Sequence, residues 1–501
     1  MTGSSRAAGQ PVGRTGGRRA PLAGISEIRG YFRTNGQPIY FVSPTAFNLL
    51  GIDRWVGSFY YVNWLDSFDG THPRAFVPAD RQAHDFKSME DVCNALLRHE
   101  QLRAWSATHP GRPKVCFVMF DETTERLAQE AGMEVILPSC KLRHHIDSKL
   151  VTTRLGNEAG VPSVPNVLGR ADTYEDLLAL AQSASLGDDL VVQTPYGDSG
   201  KTTFFIARPR DWDRNADVLK AEDLKVMRRI NCAAAAIEAV ITRHGTIVGP
   251  VMLDLTGHPE LTPYRGGWCG NDMFPGAMSP EHRAAARAAT ARLGDRLAKE
   301  GYRGFFEVDY LVDRTTGDLY LGELNPRISG VTSITNVTAA AYADLPLFAF
   351  HLIEFMGIDY ELDVAEINER WSSSELLDVW TQVVIKECDN RVELITQAPR
   401  TGIWRIADDG SIAWSRWGTD WHSIQDESEA FFLRVSGPGD YLYKGADLGI
   451  LVSRGRFQTD DGKLSDRARL WVDAIKQRFA STPPARSSVP VSPAGYAVKG
   501  V

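Results

Sequence analysis

The hydrophobic pattern of the chain changes character along its length. Near the start, apolar residues come in short unbroken runs, Pro38-Ile39-Tyr40-Phe41-Val42 and Val115-Cys116-Phe117-Val118-Met119-Phe120, each ended by loop residues. Runs without alternation are the pattern of parallel strands buried on both faces. After the second run, Glu122 to Glu130 is patterned as a helix, Gly132 stops it, and Val135-Ile136-Leu137-Pro138 resumes a strand. This part of the chain is predicted as an α/β layer.

From Asp147 the pattern shifts to α+β. Asp147 is placed to cap a helix with Leu150, Val151 and Leu155 on its apolar side, and Gly160 and Pro162 stop it. Leu190 to Thr194, the loop Pro195 to Lys201 and Thr202 to Ala207 read as strand, tight loop, strand. Ala233 to Thr242 and Thr246 to Asp254 form a hairpin through Gly245. Ser279-Pro280 opens a long helix that buries Leu293 and Leu297 and closes at Gly301. Beyond about Ile358 the chain becomes mostly β, with strands predicted over Trp380–Lys386, Arg391–Gln397, Gly402–Ile406, Phe431–Val435 and Leu448–Ser453, and a closing helix over Asp466–Phe479.

The most informative stretch is Gly304 to Gly330, GFFEVDYLVDRTTGDLYLGELNPRISG. Two aromatic and β-branched runs flank the turn-forming cluster Thr315-Thr316-Gly317-Asp318, which predicts a β-hairpin. Side chains two apart on a strand point the same way, so Glu307 and Asp309 share one face of the first strand and Glu323 and Asn325 one face of the second. Grouped carboxylates repel unless something neutralises them. Hard oxygen ligands beside a cation, Arg327, suit a Mg²⁺-bound polyphosphate.

Composition narrows the setting. A chain of 501 residues is too long for one core and implies roughly two to four domains. A formal net charge of -8 and an isoelectric point near 5.8 argue against a nucleic-acid binder. No apolar run approaches the ~20 residues of a membrane span, so no membrane role is expected. Arg6, Arg14, Arg18 and Arg19 stand among Gly, Ser and Ala without a following apolar stretch, which predicts a disordered leader over 1–24 and not a signal peptide. A Pro/Ser-rich tail over 481–501 is likewise predicted to lack a core. The six cysteines, scattered without CxxC spacing, suggest a reduced, cytoplasmic location. Cys269, in a Gly-rich context without an activating His nearby, reads as packing or lining.

Taken in order, these pieces resemble an ATP-grasp enzyme, in which two α+β lobes clamp ATP. The likeness is to biotin carboxylase, the large subunit of carbamoyl phosphate synthetase, and the amino-acid and peptide ligases of that plan. It covers about residues 110 to 345, with Glu323-Leu324-Asn325-Pro326-Arg327 as its most specific motif. It implies an N-terminal α/β domain over 25–146, a two-lobed ATP-grasp domain over 147–357 with a flexible lobe at about 160–230, and a β-rich C-terminal domain over 358–480.

The resemblance also implies roles. Glu323 and Asn325 match the pair that ligates Mg²⁺ between phosphates, and the remaining acidic ligand is Glu307 or Asp309, between which spacing does not choose. Arg327 matches the arginine that holds the substrate anion or acyl phosphate. Lys149 matches a phosphate-contacting lysine, and Tyr196 to Thr203, including Gly197, Ser199, Gly200 and Lys201, matches the glycine-rich flap over the phosphates. Gln193 stands where relatives carry a lysine, so either Lys201 supplies the missing cation or the nucleotide sits differently. Glu238 lies where carboxylases carry a functional glutamate. Met227, Arg228, Arg229 and Ile230 match the lobe connection bordering adenine, and Arg265, Trp268, Asn271 and Asp272 fall where ligases shape the acceptor pocket.

The function these roles imply is ATP-dependent, Mg²⁺-requiring ligation of a small-molecule carboxylate to an amine through an acyl phosphate, releasing ADP and phosphate. Two rivals stand beside it: a biotin-carboxylase-like reaction with bicarbonate, and a nucleotide-binding protein without catalysis. Dimers are common among relatives, which leaves a homodimer open.

Overall fold

The alternation that predicted the acid-bearing hairpin is realised as two long antiparallel strands, Gly304–Asp313 and Leu319–Asn325. They are seen in a computed structural model that describes residues 20–79, 86–197, 202–220, 222–338, 345–373 and 378–483. The turn between them is held by the Asp313 carboxylate, which accepts from the Thr315 amide at 2.8 Å, and by Gly317 at φ 78°, a left-handed conformation that glycine adopts without strain.

The hairpin forms the edge of a ten-stranded sheet. Next to it lie Cys232–Thr242, Gly245–Thr256 and Trp268–Met273, followed by strands from the C-terminal region, Trp380–Lys386, Asp447–Arg454, Glu429–Arg434, Gly402–Ile406 and Ile412–Arg416. The C-terminal strands thus extend the same sheet through the pairing of Trp268–Met273 with Trp380–Lys386. The strands Ile412–Arg416 and Tyr441–Tyr443 were not anticipated from sequence; they are short, and the first exposes most of its side chains.

The helix Pro280–Lys299, capped by Ser279, packs on one face of this sheet and buries Leu293 and Leu297 against Ile237, Phe306 and Val308. On the other face, Phe305, Met252 and Val240 share a core with Phe348, Leu352 and the N-terminal layer. That layer is a five-stranded parallel sheet in which Ile39–Ser43 lies between Phe59–Asn63 and Lys114–Phe117. A smaller four-stranded sheet, Asn166–Gly169, Leu224–Arg228, Leu190–Gln193 and Thr203–Ile206 in that order, has its own core of Leu177, Val192, Trp212 and Val226. The mixed α/β and α+β class predicted from sequence is observed.

At both ends of the chain, part of the expected leader and tail is ordered. Leu22–Ala23 pairs in parallel with Tyr360–Glu361, and Ala480–Thr482 pairs with Val392–Gln397. Residues 1–19 and 484–501 lie outside the described residues. Among the described residues no helix is long and apolar enough to cross a membrane.

One expectation is corrected. Asp147 does not cap the helix that follows it; it is the last residue of Cys140–Asp147, and Ser148 precedes the next helix, Lys149–Glu158, without a side-chain cap. Its carboxylate instead takes Arg143 at 3.2 Å and Arg327 at 2.6 Å. Two guanidinium groups outbid the backbone amides that a cap would satisfy.

The hairpin is fastened at its first residue. Gly304 has φ 98°, and a Cβ there would collide with the ring of His351. That ring accepts from the Phe305 amide through Nδ1 at 3.1 Å, and its Nε2 stands 2.7 Å from the Ile136 carbonyl of the N-terminal layer. Burial lowers the His351 pKa to about 4, so the neutral imidazole acts as a fixed bridge. Gly304→Ala is expected to destabilise the protein by about 2–4 kcal/mol through combined backbone strain and overpacking. Chemical denaturation with an unchanged midpoint would contradict this.

Candidate active site

Register across three strands builds the floor of the site. Glu238 pairs with Glu307 and Glu307 with Asn325; two residues along, Asp309 pairs with Glu323. All project from the same face, since Phe305 and Met252 on that face belong to one core while Phe306 and Val308 belong to the other. Asn325 Nδ2 donates to Glu307 Oε2 at 2.7 Å. The row continues sideways: Asp254 pairs with Asn271 and Asn271 with Gln382. Asn271 Nδ2 donates to Asp254 Oδ1 at 2.6 Å and its Oδ1 accepts from Trp268 Nε1 at 3.1 Å.

The turn after the hairpin and the start of the helix Thr332–Thr338 lie over this floor. Thr332 Oγ1 donates to Glu238 Oε1 at 2.6 Å, with Ser329 Oγ at 3.4 Å, while Glu238 Oε2 is buried without a partner. Gln382 donates to the Gly330 carbonyl at 2.8 Å and accepts from Ser333. Glu238 is 0 % exposed, so it is not a solvated strand residue. A bulge opposite it, where the pairing skips from Ile237 to Ala239, accompanies the close approach of Gly249 to the Glu238 carbonyl.

Electrostatically the floor is short of positive charge. Burial raises the Glu307 carboxyl to about 7, helped by Asp254 and Glu238. Burial, then Glu307 and Glu323, push Asp309 well above the ordinary carboxylate range, and burial followed by Asp309 does the same to Asp254. Burial raises Glu238 to about 8. Several acids held partly neutral side by side are a donor set suited to a cation. Among the described residues no three His, Cys, Asp or Glu side chains are gathered tightly enough to hold a metal unaided.

The rim is cationic. Lys149 lies 2.9 Å from Glu323 Oε1 and donates to the Gly197 carbonyl at 3.0 Å, and its own amide donates to the Pro195 carbonyl. It therefore ties the start of the flap to the hairpin. Arg327 holds Asp147. Gln193 donates through Nε2 to Thr203 Oγ1 at 3.1 Å, and its Oε1 is buried without a partner. Met227 is buried on the same side as Gln193, whereas Arg228 is exposed, Ile230 is partly exposed, and Arg229 pairs with Asp189 at 3.6 Å and covers the Phe205 ring.

The structure does not bring every candidate together. Asp272, adjacent to Asn271, faces the opposite side of the strand, where its carboxylate accepts from the Phe457 and Gln458 amides at 3.0 and 2.8 Å. Arg265 is exposed on the loop beyond Gly257. Cys269 is buried, donates to the Leu255 carbonyl, and burial pushes its thiol up to about 12, so it packs and does not react. Ser199, Gly200 and Lys201 lie outside the described residues. Three residues of the site were not singled out from sequence: Asp254, whose alternation with Leu253 and Leu255 was the available signal; Gln382; and Lys225, which carried no local signal.

No protein-family model matches the sequence. Two curated relatives do. The [Butirosin acyl-carrier protein]--L-glutamate ligase of Niallia circulans is 22 % identical over 272 residues, covering 50 % of this chain and 61 % of the relative. The mitochondrial methylcrotonoyl-CoA carboxylase subunit alpha of Oryza sativa subsp. japonica is 23 % identical over 237 residues, 46 % of this chain and 31 % of the relative. The chain thus spans less than two thirds of either. Among solved structures, a biotin carboxylase from Campylobacter jejuni matches with a TM-score of 0.59 at 12 % identity, covering 89 % of this chain and 92 % of the other. The biotin carboxylase domain of Hydrogenobacter thermophilus 2-oxoglutarate carboxylase gives 0.57 at 13 %, with 89 % and 91 % covered. An N5-carboxyaminoimidazole synthase from Aspergillus clavatus gives 0.53 at 13 %, with 88 % and 99 % covered. The chain has the ATP-grasp fold, in the arrangement seen in biotin carboxylase.

The raised carboxyl of Glu238 has a consequence for stability. The folded protein keeps that proton up to about pH 8, while the unfolded chain releases it near the ordinary value of about 4.3. The unfolded state is therefore favoured progressively as pH rises through that window, and stability falls. Glu238→Gln retains an oxygen to accept from Thr332 and removes the titration. Its stability is expected to fall less steeply than that of wild type between pH 5 and 8, by up to about 1.4 kcal/mol per pH unit. Parallel slopes in a pH series of melting curves would show that Glu238 is already ionised.

Proposed function

We propose that the protein is an ATP-dependent, Mg²⁺-requiring ligase that joins a small-molecule carboxylate to an amine. The observation that carries this reading is the cross-strand row Glu238, Glu307, Asn325 with Asp309 and Glu323 beside it, facing the cations Lys149 and Arg327. A floor short of positive charge beside a rim supplied with it suits a metal-bound polyphosphate. Relatives of this fold include proteins whose solved structures contain ADP and magnesium.

In this reading Glu323 and Asn325, with Glu307 or Asp309, hold the metal, and Lys149 and Gln193 meet the nucleotide phosphates. Met227 and the backbone of 228–230 border the base. Gly197, held by Lys149, stands at the phosphate end of the site. Bound Mg²⁺ would offset charge developing between the β- and γ-phosphates. Arg327, pivoting from Asp147, orients the substrate carboxylate, which a planar guanidinium grips in two-point fashion. The carboxylate oxygen takes the γ-phosphoryl group, ADP leaves, and the amine displaces phosphate from the acyl phosphate to form the amide. Trp268 and Asn271 line the acceptor side; Glu238, neutral at ordinary pH and hydrogen-bonded to the overlying loop, positions that loop. The ligase among the curated relatives acts on L-glutamate, which supports an amino acid as one substrate class. A homodimer is the assembly this reading favours, in line with the dimer described for one relative of the fold.

A second reading, carboxylation with bicarbonate as the acid, draws on the full-length likeness to biotin carboxylase. ADP release measured over a panel of amino acids, with and without an amine acceptor and in bicarbonate-depleted buffer, separates the two. The ligase reading expects ADP and phosphate, no AMP, and dependence on an amine. Absolute dependence on bicarbonate with no amine required would sink it. Mg-ATP is also expected to raise the melting temperature of wild type and not of Glu323→Ala; equal shifts would place the metal elsewhere. Arg327→Lys is expected to lower kcat/KM about 10- to 100-fold with MgADP affinity nearly unchanged, and a loss of affinity with unchanged turnover would reassign Arg327 to the nucleotide.

A further inference from the structure

Lys225 is a buried ammonium with little to neutralise it. It sits on the strand Leu224–Arg228 and is 1 % exposed. Its Nζ donates to Ser163 Oγ at 3.2 Å, and the charges that act on it are Glu323, favourably, and Lys149, unfavourably. Glu323 is already paired with Lys149 at 2.9 Å, so two buried ammonium groups draw on one carboxylate. A hydroxyl does not repay the desolvation of a full charge, and burial lowers the Lys225 pKa to about 8. The lysine is kept where an anion would relieve it.

Register shows where that anion would lie. Lys225 pairs directly with Gln193 on the neighbouring strand, and the two side chains share the face opposite Val192 and Val226, which belong to the lobe's own core. Gln193, 8 % exposed, leaves its Oε1 without a partner on that same face. Lys225, Gln193, Lys149 and Glu323 therefore converge at the junction of the small sheet and the hairpin, below the flap at Gly197.

We propose that Lys225 is a phosphate-binding residue of the nucleotide site, supplying from the strand beside Gln193 the cation that Gln193 does not carry. The assignment rests on the nucleotide reading above and adds to it a residue that no motif marks. Gln193 then acts as a neutral partner, its amide oxygen accepting from the Lys225 ammonium or from the base while the charge reaches the polyphosphate from one strand over. The compensation is geometric: a cross-strand pair places two side chains about 5 Å apart, within the reach of a lysine stem.

Calorimetric titration at pH 7 with MgADP and, separately, with adenosine tests this. Lys225→Met is expected to weaken MgADP about tenfold or more and to leave adenosine binding unchanged, since only the phosphates lose a partner. Its melting temperature without ligand should match or exceed wild type, because an apolar chain replaces a buried charge. Lys225→Gln, which keeps a donor to Ser163, gives the same reading if the methionine variant does not fold. Moving the cation, in Gln193→Lys with Lys225→Met, is expected to restore MgADP affinity to within about threefold of wild type. MgADP binding by Lys225→Met and Lys225→Gln as tight as wild type overturns the assignment of Lys225 while leaving the nucleotide site intact. Wild type that binds no MgADP at all overturns both.

Discussion

The constraint on which the structure depends is the repulsion among acids that register forces together. Glu238, Glu307, Asp309 and Asp254 stand side by side on one face of a sheet whose other face is a dry core, so the strands cannot slide or twist to separate them without exposing Phe306, Val308 and Ile237. Hydrophobic burial on one side therefore holds an unfavourable charge arrangement on the other. Protons relieve part of it: burial raises all four carboxyl groups, and neighbouring acids add to the shift at Glu307, Asp309 and Asp254. Local strain of this kind persists only where packing over-determines it, and it concentrates where a ligand would release it.

The cationic rim is the counterpart of that floor, kept apart from it by topology. Lys149 comes from a helix, Arg327 from the loop after the hairpin, and Lys225 from the small sheet. Lys149 is bound directly to the hairpin acid Glu323, and Arg327 to Asp147. A polyphosphate with a divalent cation would meet both sets at once, with its oxygens toward the lysines and its metal toward the acids. The same separation shapes the site: two sheets with their own cores meet where Lys149 donates to the Gly197 carbonyl.

Legibility in the sequence followed the range of the interactions. The hairpin, the helix Pro280–Lys299 and the parallel N-terminal layer were visible because each is set by local periodicity and a nearby turn or cap, Gly317 and Ser279 among them. The pairing of Trp268–Met273 with Trp380–Lys386 was not, because it joins segments more than a hundred residues apart and no local pattern encodes which strand is adjacent. Grouping Asn271 with Asp272 overlooked alternation: neighbours on a strand face opposite ways, and Asp272 serves the C-terminal loop. Asp147 carried a genuine N-cap signal that two arginines outcompeted. Lys225 was illegible in principle, since a lone lysine in a strand reads as solvated until its partner across the sheet is known to be Gln193.

The most direct measurement is an anomalous-scattering map from crystals grown with Mn²⁺ and ADP, in which the metal reports its own position. The account predicts a peak bound by Glu323 and Asn325, with the phosphates lying between it and Lys149. A nucleotide seated elsewhere, with the metal away from the hairpin acids, would contradict it.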